Sequence, residues 1–310
     1  MTKIYPSDQL PVQCTPASSI ETQLFLLDQT TGRSDNYTCC FHWVFDQSLS
    51  PDLLEVAIKQ IIAQSDMLRS TYMPGEADDG AVMRSVHRSV PFRLGVCDWS
   101  TDAPDVARGW VGDLVDEFVS TKFDLSQAPL FRATLVQQPD GRSRLIIAVH
   151  HAVFDGASSG VFIKRLLALY AGQGPVDFGT DTARHIAHQQ AIQTACDTPS
   201  FAEYWAKALP QTVSPVAFPG ARVSEFDTGF ALQRIEQEIS PSVWACIGDT
   251  AKQMGVSKHA LCLSALFCLI SGSRTGLGED SEQVITLPAS VRREGETDLG
   301  VQSRHLMDRV

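Results

Sequence analysis

Residues 131–156 read FRATLVQQPDGRSRLIIAVHHAVFDG, and the architecture of the chain turns on them. Two apolar runs, Phe131 to Gln137 and Ser143 to His150, flank Pro139-Asp140-Gly141, a turn that joins a φ-fixing to a φ-permissive residue. The pattern predicts a β-hairpin. Its second strand ends in His150 and His151. Neighbouring strand residues face opposite ways, so one histidine is expected to enter a packed layer and the other to stay available. An available histidine, with an ordinary pKa near ~6.5, can take a proton from an amine or alcohol at neutral pH. Asp155 precedes Gly156, which lets the chain turn tightly, and its carboxylate is expected to pair with Arg132 or Arg69 and fix the loop. No metal is expected here, because alternation separates the histidines and no third His or Cys stands at ligand spacing.

Downstream, Ser158-Ser159-Gly160 lead into a helix marked by Val161, Phe162, Leu166, Leu167 and Tyr170 and closed by Gly172. The stretch from Gly172 to Thr182 is rich in glycine, proline and aspartate and reads as a linker, dividing a lobe at 1–175 from a second at 183–310. In the first lobe, Ser18-Ser19 ahead of Glu21 open a helix whose apolar positions Ile20, Leu24 and Leu27 run to Gly32. Phe41 to Phe45 reads as a strand. Pro51 begins a helix running toward Leu68 with a wide stripe of Leu53, Leu54, Ala57, Ile58, Ile61 and Ile62, and Pro104 to Thr121 forms a third. Beyond the linker, helices are expected near 183–195, 200–209, 240–254 and 257–271, with a strand near 284–287. The fold class is α/β.

At 310 residues, with 44% hydrophobic and 20% charged side chains, the chain can bury one large core or two medium ones. The longest apolar run, Leu261 to Ile270, is broken by Ser264 and too short to cross a bilayer, and Met1-Thr2-Lys3-Ile4-Tyr5-Pro6 lacks the apolar stretch of a signal peptide. A cytoplasmic protein with no membrane contact is expected. The eight cysteines lack metal spacing, and Cys39 and Cys40 face opposite ways on a strand, so all read as reduced, mostly buried thiols. A net charge of -11, with no local Lys/Arg cluster, opposes nucleic-acid binding. Ser18, Ser19, Ser158 and Ser159 stand outside any Gly-x-Ser-x-Gly elbow and read as helix caps rather than nucleophiles.

His150-His151-x-x-x-Asp155-Gly156 resembles the active-site motif of condensation domains from nonribosomal peptide synthetases, within the chloramphenicol-acetyltransferase-like superfamily. Upstream, Leu68-Arg69-Ser70-Thr71-Tyr72 resembles a Leu-Arg-Thr-x-Phe element, and Phe123-Asp124-Leu125 with Pro129-Leu130-Phe131-Arg132 resembles the segment preceding the motif. Downstream, Tyr204-Trp205-Ala206-Lys207-Ala208-Leu209 resembles a Tyr-Trp helix, and Leu287-Pro288-Ala289-Ser290-Val291-Arg292 a strand-to-loop element ending in arginine. The order and spacing of these elements over nearly the whole chain are more specific than the heptapeptide.

The resemblance implies a chloramphenicol-acetyltransferase-like lobe, a mixed sheet with flanking helices, plus a partial second lobe of the same type, with a channel between them. It implies acyl transfer, in which an amine or alcohol attacks a thioester to form an amide or ester. The phosphopantetheine arm would be presented by a carrier protein, and no cofactor of the protein's own is implied. On that reading His151 is the base or orienting group, Gly156 offers its N–H to the reacting carbonyl, and His150, Asp155, Arg132 and Arg69 are structural. A thioester needs little activation, so placement and oxyanion stabilisation can supply most of the rate.

The chain departs from the family in three places. Gln64-Ser65 stands where the family has Arg-His, Leu299 to His305 keeps only Gly300 of a Gly and Asn-Thr pattern, and the chain stops at Val310 while the family continues. Two alternatives follow. One is a divergent stand-alone enzyme cyclising, dehydrating or hydrolysing a small natural-product intermediate, its exposed apolar surface covered in a homo-oligomer. The other is a non-catalytic carrier- or partner-binding module, against which the intact motif argues.

Overall fold

In the computed structural model of the protein, residues 11–31, 37–75, 81–174, 182–209, 237–272, 284–290 and 303–309 are described. β6 (Phe131–Gln137) and β7 (Ser143–His150) form the predicted hairpin, in register from Phe131 opposite Val149 to Gln137 opposite Ser143. Its turn closes with the Gly141 N–H donating to Gln138 O at 3.1 Å, at a φ of 79° that favours glycine. β2 (Thr38–Phe45) pairs antiparallel with β7, and β5 (Gly95–Asp98) pairs parallel with β6. The result is a four-stranded mixed sheet in the order β2-β7-β6-β5.

β7 lies inside this sheet and is covered on both faces, which explains why its sequence is nearly continuous in apolar residues. Leu145, Ile147 and Val149 join the larger core with Ile58 and Ile61 of α2 (Pro51–Gln64) and Phe162 and Leu166 of α4 (Gly156–Tyr170). Ile146 and Ala148 point the other way, against Phe118 of α3 (Pro104–Ser120). Burial of each such side chain contributes roughly 1.5–3 kcal/mol before the entropy of ordering is subtracted. The helices thus sandwich the sheet, and the same alternation decides where a histidine at the end of β7 points.

α2 starts with Pro51 at its first position and the Ser50 hydroxyl accepting from Leu53 N, and it ends sooner than its apolar stripe suggests. Ser65 turns extended, with φ -111° and ψ 111°, and its hydroxyl accepts from Leu68 N at 3.4 Å, capping a separate 3-10 turn over Met67–Arg69. A second sheet, in the order β1-β4-β3, is built from β1 (Pro11–Pro16), β3 (Ser70–Pro74) and β4 (Val82–His87), all antiparallel. Strands β3 and β4 carry polar residues at their inner positions, with Ser70, Thr71, Arg84 and His87 all buried, and β1 is mostly exposed, so none shows the apolar alternation of a strand in the sequence. Between β1 and β2, α1 (Ser19–Thr31) opens on a capping box, with Glu21 N donating to Ser18 Oγ at 3.4 Å and Ser18 N donating to Glu21 Oε2 at 2.6 Å.

The chain divides into two units, Met1–Thr198 with Pro288–Arg304, and Pro199–Leu287 with His305–Val310. α5 (Thr182–Cys196) groups with the first. The second holds α6 (Pro199–Ala208), α7 (Pro241–Met254) and α8 (Lys258–Gly272). α7 starts on the Ser240 cap and ends at Gly255 in the left-handed region with φ 67°, and the Lys258 ammonium sits 4.5 Å from the Trp244 ring centroid. β8 (Val284–Ser290) and β9 (Ser303–Arg309) pair with each other. Among the described residues no helix is long and apolar enough to cross a membrane.

The cysteines correct one expectation. All eight are free thiols, but none is fully buried: Cys14, Cys246, Cys262 and Cys268 are exposed, and Cys39, Cys40, Cys97 and Cys196 are half-buried. The exposed ones lie on an edge strand and on outer helix faces, where burial is not available.

Candidate active site

The end of β7 places His150 in the layer beneath α3, as alternation from Ile146 and Ala148 requires. Its N–H donates to Leu130 O at 3.0 Å, and its Nδ1 accepts from Ala152 N at 3.1 Å. A neutral imidazole has one donor and one acceptor nitrogen, so the proton sits on Nε2. The rings of Tyr37 and Phe123 stand 6.5 and 6.4 Å away, centroid to centroid. Burial, with a smaller contribution from neighbouring His151, pushes the His150 pKa down to about 4. His150 is therefore an uncharged packing and turn-fixing group at neutral pH.

One residue later the chain leaves the strand. His151–Val153 form a 3-10 turn, Phe154 is extended, and Asp155 caps α4. His151 remains partly exposed, with its Nδ1 2.8 Å from Phe154 O. A carbonyl oxygen only accepts, so Nδ1 must carry the hydrogen. The lone pair of His151 is then on Nε2, for which no hydrogen bond is found among the described residues. The Asp155 carboxylate accepts from Ser158 N and Ser158 Oγ, both at 2.8 Å, and so holds the first turn of α4 against the His151 turn.

Gly156 occupies the first position of α4, where a backbone N–H has no intrahelical acceptor and the helix dipole favours negative charge. A Cβ built on Gly156 would meet nothing within 4 Å among the described residues, so there is room beside its Cα. A base nitrogen and an N–H donor on the same short turn are the parts needed to take a proton from a nucleophile and to receive an oxyanion. Cys39 is no rival nucleophile. Burial first, then the Asp155 charge, pushes its thiol up to about 11, so it stays protonated.

The expected pairing of Asp155 with Arg132 or Arg69 does not form. The Arg132 guanidinium lies 4.1 Å from the Phe123 ring centroid and donates to Phe118 O and Thr121 O, tying α3 to the segment after it. Arg69 donates to Asp66 at 2.5 Å and to His87 O at 2.6 Å. Both arginines are drawn to local carbonyls and a nearer carboxylate, and Arg132 reaches the site only through the ring that also packs on His150. Ser18 sits in the capping box as expected, but Ser158 and Ser159 are not caps: both lie inside α4, where Asp155 is the N-cap, Ser158 donates to it and Ser159 donates to Gly156 O at 2.7 Å. Sequence reasoning missed Tyr72 and Arg84, which bury with Glu21 directly behind the His151 turn; Glu21 is legible in the sequence only as a capping residue.

Comparisons with known proteins bear on the fold and family. The chain is 25% identical over 260 residues to surfactin synthase subunit 2 of Bacillus subtilis (strain 168), an alignment covering 83% of this chain and 7% of that protein. It is 26% identical over 256 residues to tyrocidine synthase 3 of Brevibacillus parabrevis, covering 83% of this chain and 4% of that one. The chain thus spans less than a tenth of the length of these relatives. The fold is similar to the first condensation domain of the calcium-dependent antibiotic synthetase, solved with a substrate analogue, at a TM-score of 0.79 and 20% identity over 96% of this chain and 70% of that one. It is also similar to the condensation domain from Monacolin K polyketide synthase MokA, at a TM-score of 0.77 and 15% identity over 97% and 68%. The condensation-domain family model matches residues 13–303, and with the hairpin, the two-histidine turn and the capped helix in place, the chain belongs to the condensation-domain family.

Proposed function

We propose that this chain catalyses condensation, joining an acyl group from a thioester to an amine or alcohol, with donor and acceptor delivered on the phosphopantetheine arms of carrier proteins. The observation that carries this reading is the 2.8 Å contact of His151 Nδ1 with Phe154 O, which leaves Nε2 as the acceptor on a partly exposed ring that shortly precedes the N-terminus of α4. In the reaction the acceptor nitrogen or oxygen bonds to the thioester carbon as His151 Nε2 takes its proton. The developing oxyanion accepts from the Gly156 N–H. The C–S bond then breaks, and the proton passes to the departing sulfur, so charge and atoms balance. Because a thioester is already activated, holding the nucleophile within reach accounts for much of the rate.

The test is turnover of a panel of carrier-bound acyl donors with aminoacyl acceptors, read as new amide or ester by mass spectrometry. Product that disappears in His151→Ala supports the reading. Free acid without amide would replace it with hydrolysis. Carrier binding with no turnover across the panel would leave a non-catalytic binding module.

A further inference from the structure

Behind the His151 turn lies a buried charged pair whose carboxylate does more than cap α1. Glu21 and Arg84 form an ion pair at 2.9 Å, both side chains essentially fully buried. The Glu21 Oε1 atom also accepts from the Tyr72 hydroxyl at 2.9 Å, while Oε2 accepts from Ser18 N at 2.6 Å. The same Tyr72 hydroxyl lies 3.3 Å from Ala152 O, the carbonyl of the residue after His151. One carboxylate therefore joins the start of α1, strand β4, strand β3 and the His151 turn. Taking such a pair out of water is costly, and a hydrophobic pair of similar volume often stabilises as well. Its placement calls for a reason other than stability.

We infer that Tyr72, held by the Glu21–Arg84 pair, is a positioning residue that sets the orientation of His151 through Ala152. Burial and the Glu21 charge hold the Tyr72 pKa well above its ordinary value, so the hydroxyl keeps its hydrogen and acts as a donor. That hydrogen is shared between the carboxylate and Ala152 O, the carboxylate being nearer. The His150 Nδ1 bond to Ala152 N pins the same residue from the opposite side, so Ala152 is held at both its N–H and its C=O. With both held, the His151 ring can keep Nδ1 on Phe154 O and Nε2 facing outward.

This inference rests on the condensation reading only for its kinetic consequence, and the experiment separates the two. Tyr72→Phe removes one oxygen and keeps the ring in the core. The nitrogen shifts of 15N-histidine-labelled protein are expected to show the Nδ1–H tautomer of His151 in the parent chain and a mixture with Nε2–H in Tyr72→Phe. Turnover should fall about tenfold in kcat with KM unchanged, the size expected when a reacting group is slightly misplaced. Unchanged nitrogen shifts in a folded Tyr72→Phe would overturn the inference, whatever the activity. Absent turnover in the parent chain would instead count against the condensation reading and leave the nitrogen shifts to decide the positioning role. If Tyr72→Phe does not fold, the parent chain decides. A slowly exchanging Tyr72 hydroxyl proton with a nuclear Overhauser contact to the Ala152–Val153 segment supports the inference, and exchange as fast as that of an exposed phenol overturns it.

Discussion

The layer beneath α3 and the turn in front of α4 each hold one histidine of the motif, and the chain prepares them differently. In the layer, His150 is buried among Tyr37 and Phe123, its Nδ1 occupied by Ala152 N and its pKa lowered to about 4. In the turn, His151 is partly exposed, with Nδ1 on Phe154 O and Nε2 left over. Both rings spend Nδ1 on the backbone, His150 as an acceptor and His151 as a donor. Which way the hydrogen points on that first nitrogen decides whether the second is a proton donor locked in the core or a base open to substrate.

The comparison breaks most visibly if the two histidines are exchanged in their roles. His151→Ala should lower kcat for amide or ester formation by about 10²–10⁴-fold, the usual contribution of a positioned base, while circular dichroism and thermal unfolding stay close to the parent chain. A fully active His151→Ala would leave the turn without its assigned base. The corresponding prediction for His150 concerns stability. The unfolded chain takes up a proton near pH 6.5 and the folded chain only near pH 4, so the unfolded state binds more protons between those values. Stability contributed by this residue is then present above about pH 6.5 and is lost as pH falls toward 4, by up to about 3 kcal/mol. Denaturant unfolding at several pH values checks this, because His150→Phe should remove that part of the acid slope.

Two smaller effects sharpen the contrast. Asp155→Ala deletes the carboxylate that accepts from Ser158 N and Oγ, and should cost about 1–2 kcal/mol in denaturant unfolding through loss of the α4 cap. Gly156→Ala should leave stability within about 0.5 kcal/mol, because the added methyl meets no neighbour and alanine suits a helix. If an acyl carbonyl docks at the Gly156 amide, the same methyl should nevertheless raise KM or lower kcat. An Ala variant with unaltered stability and unaltered kinetics would remove Gly156 from the site.

The stretch 131–156 was legible because two apolar runs flank a turn sequence, and strand alternation separates the two histidines that follow. The Asp155-Gly156 step reads in the sequence as a tight loop, whereas α4 already begins at Gly156, two residues before the serines expected to open it. Strands β3 and β4 were not legible, because Ser70, Thr71, Arg84 and His87 are polar residues at buried positions and erase the apolar alternation, and β1 is almost entirely exposed, so it carries no apolar alternation at all. The arginines misled for a related reason. Arg69 turns instead to Asp66, three residues away, and to His87 O at the end of β4, while Arg132 is drawn to Phe118 O and Thr121 O at the end of α3, contacts with distant backbone that the motif spacing does not encode.

By itself the sequence determined the hairpin, the position of the motif at a strand end and the opposite orientations of its two histidines. These follow from local patterns and the period of a strand. Tertiary structure alone decided the tautomer of each histidine, the destination of Arg132 and Arg69, and the meeting of Glu21, Tyr72 and Arg84 behind the turn. Those outcomes depend on which backbone carbonyls and carboxylates distant segments bring within about 3 Å, and hydrogen bonding at that range is not written in the order of residues.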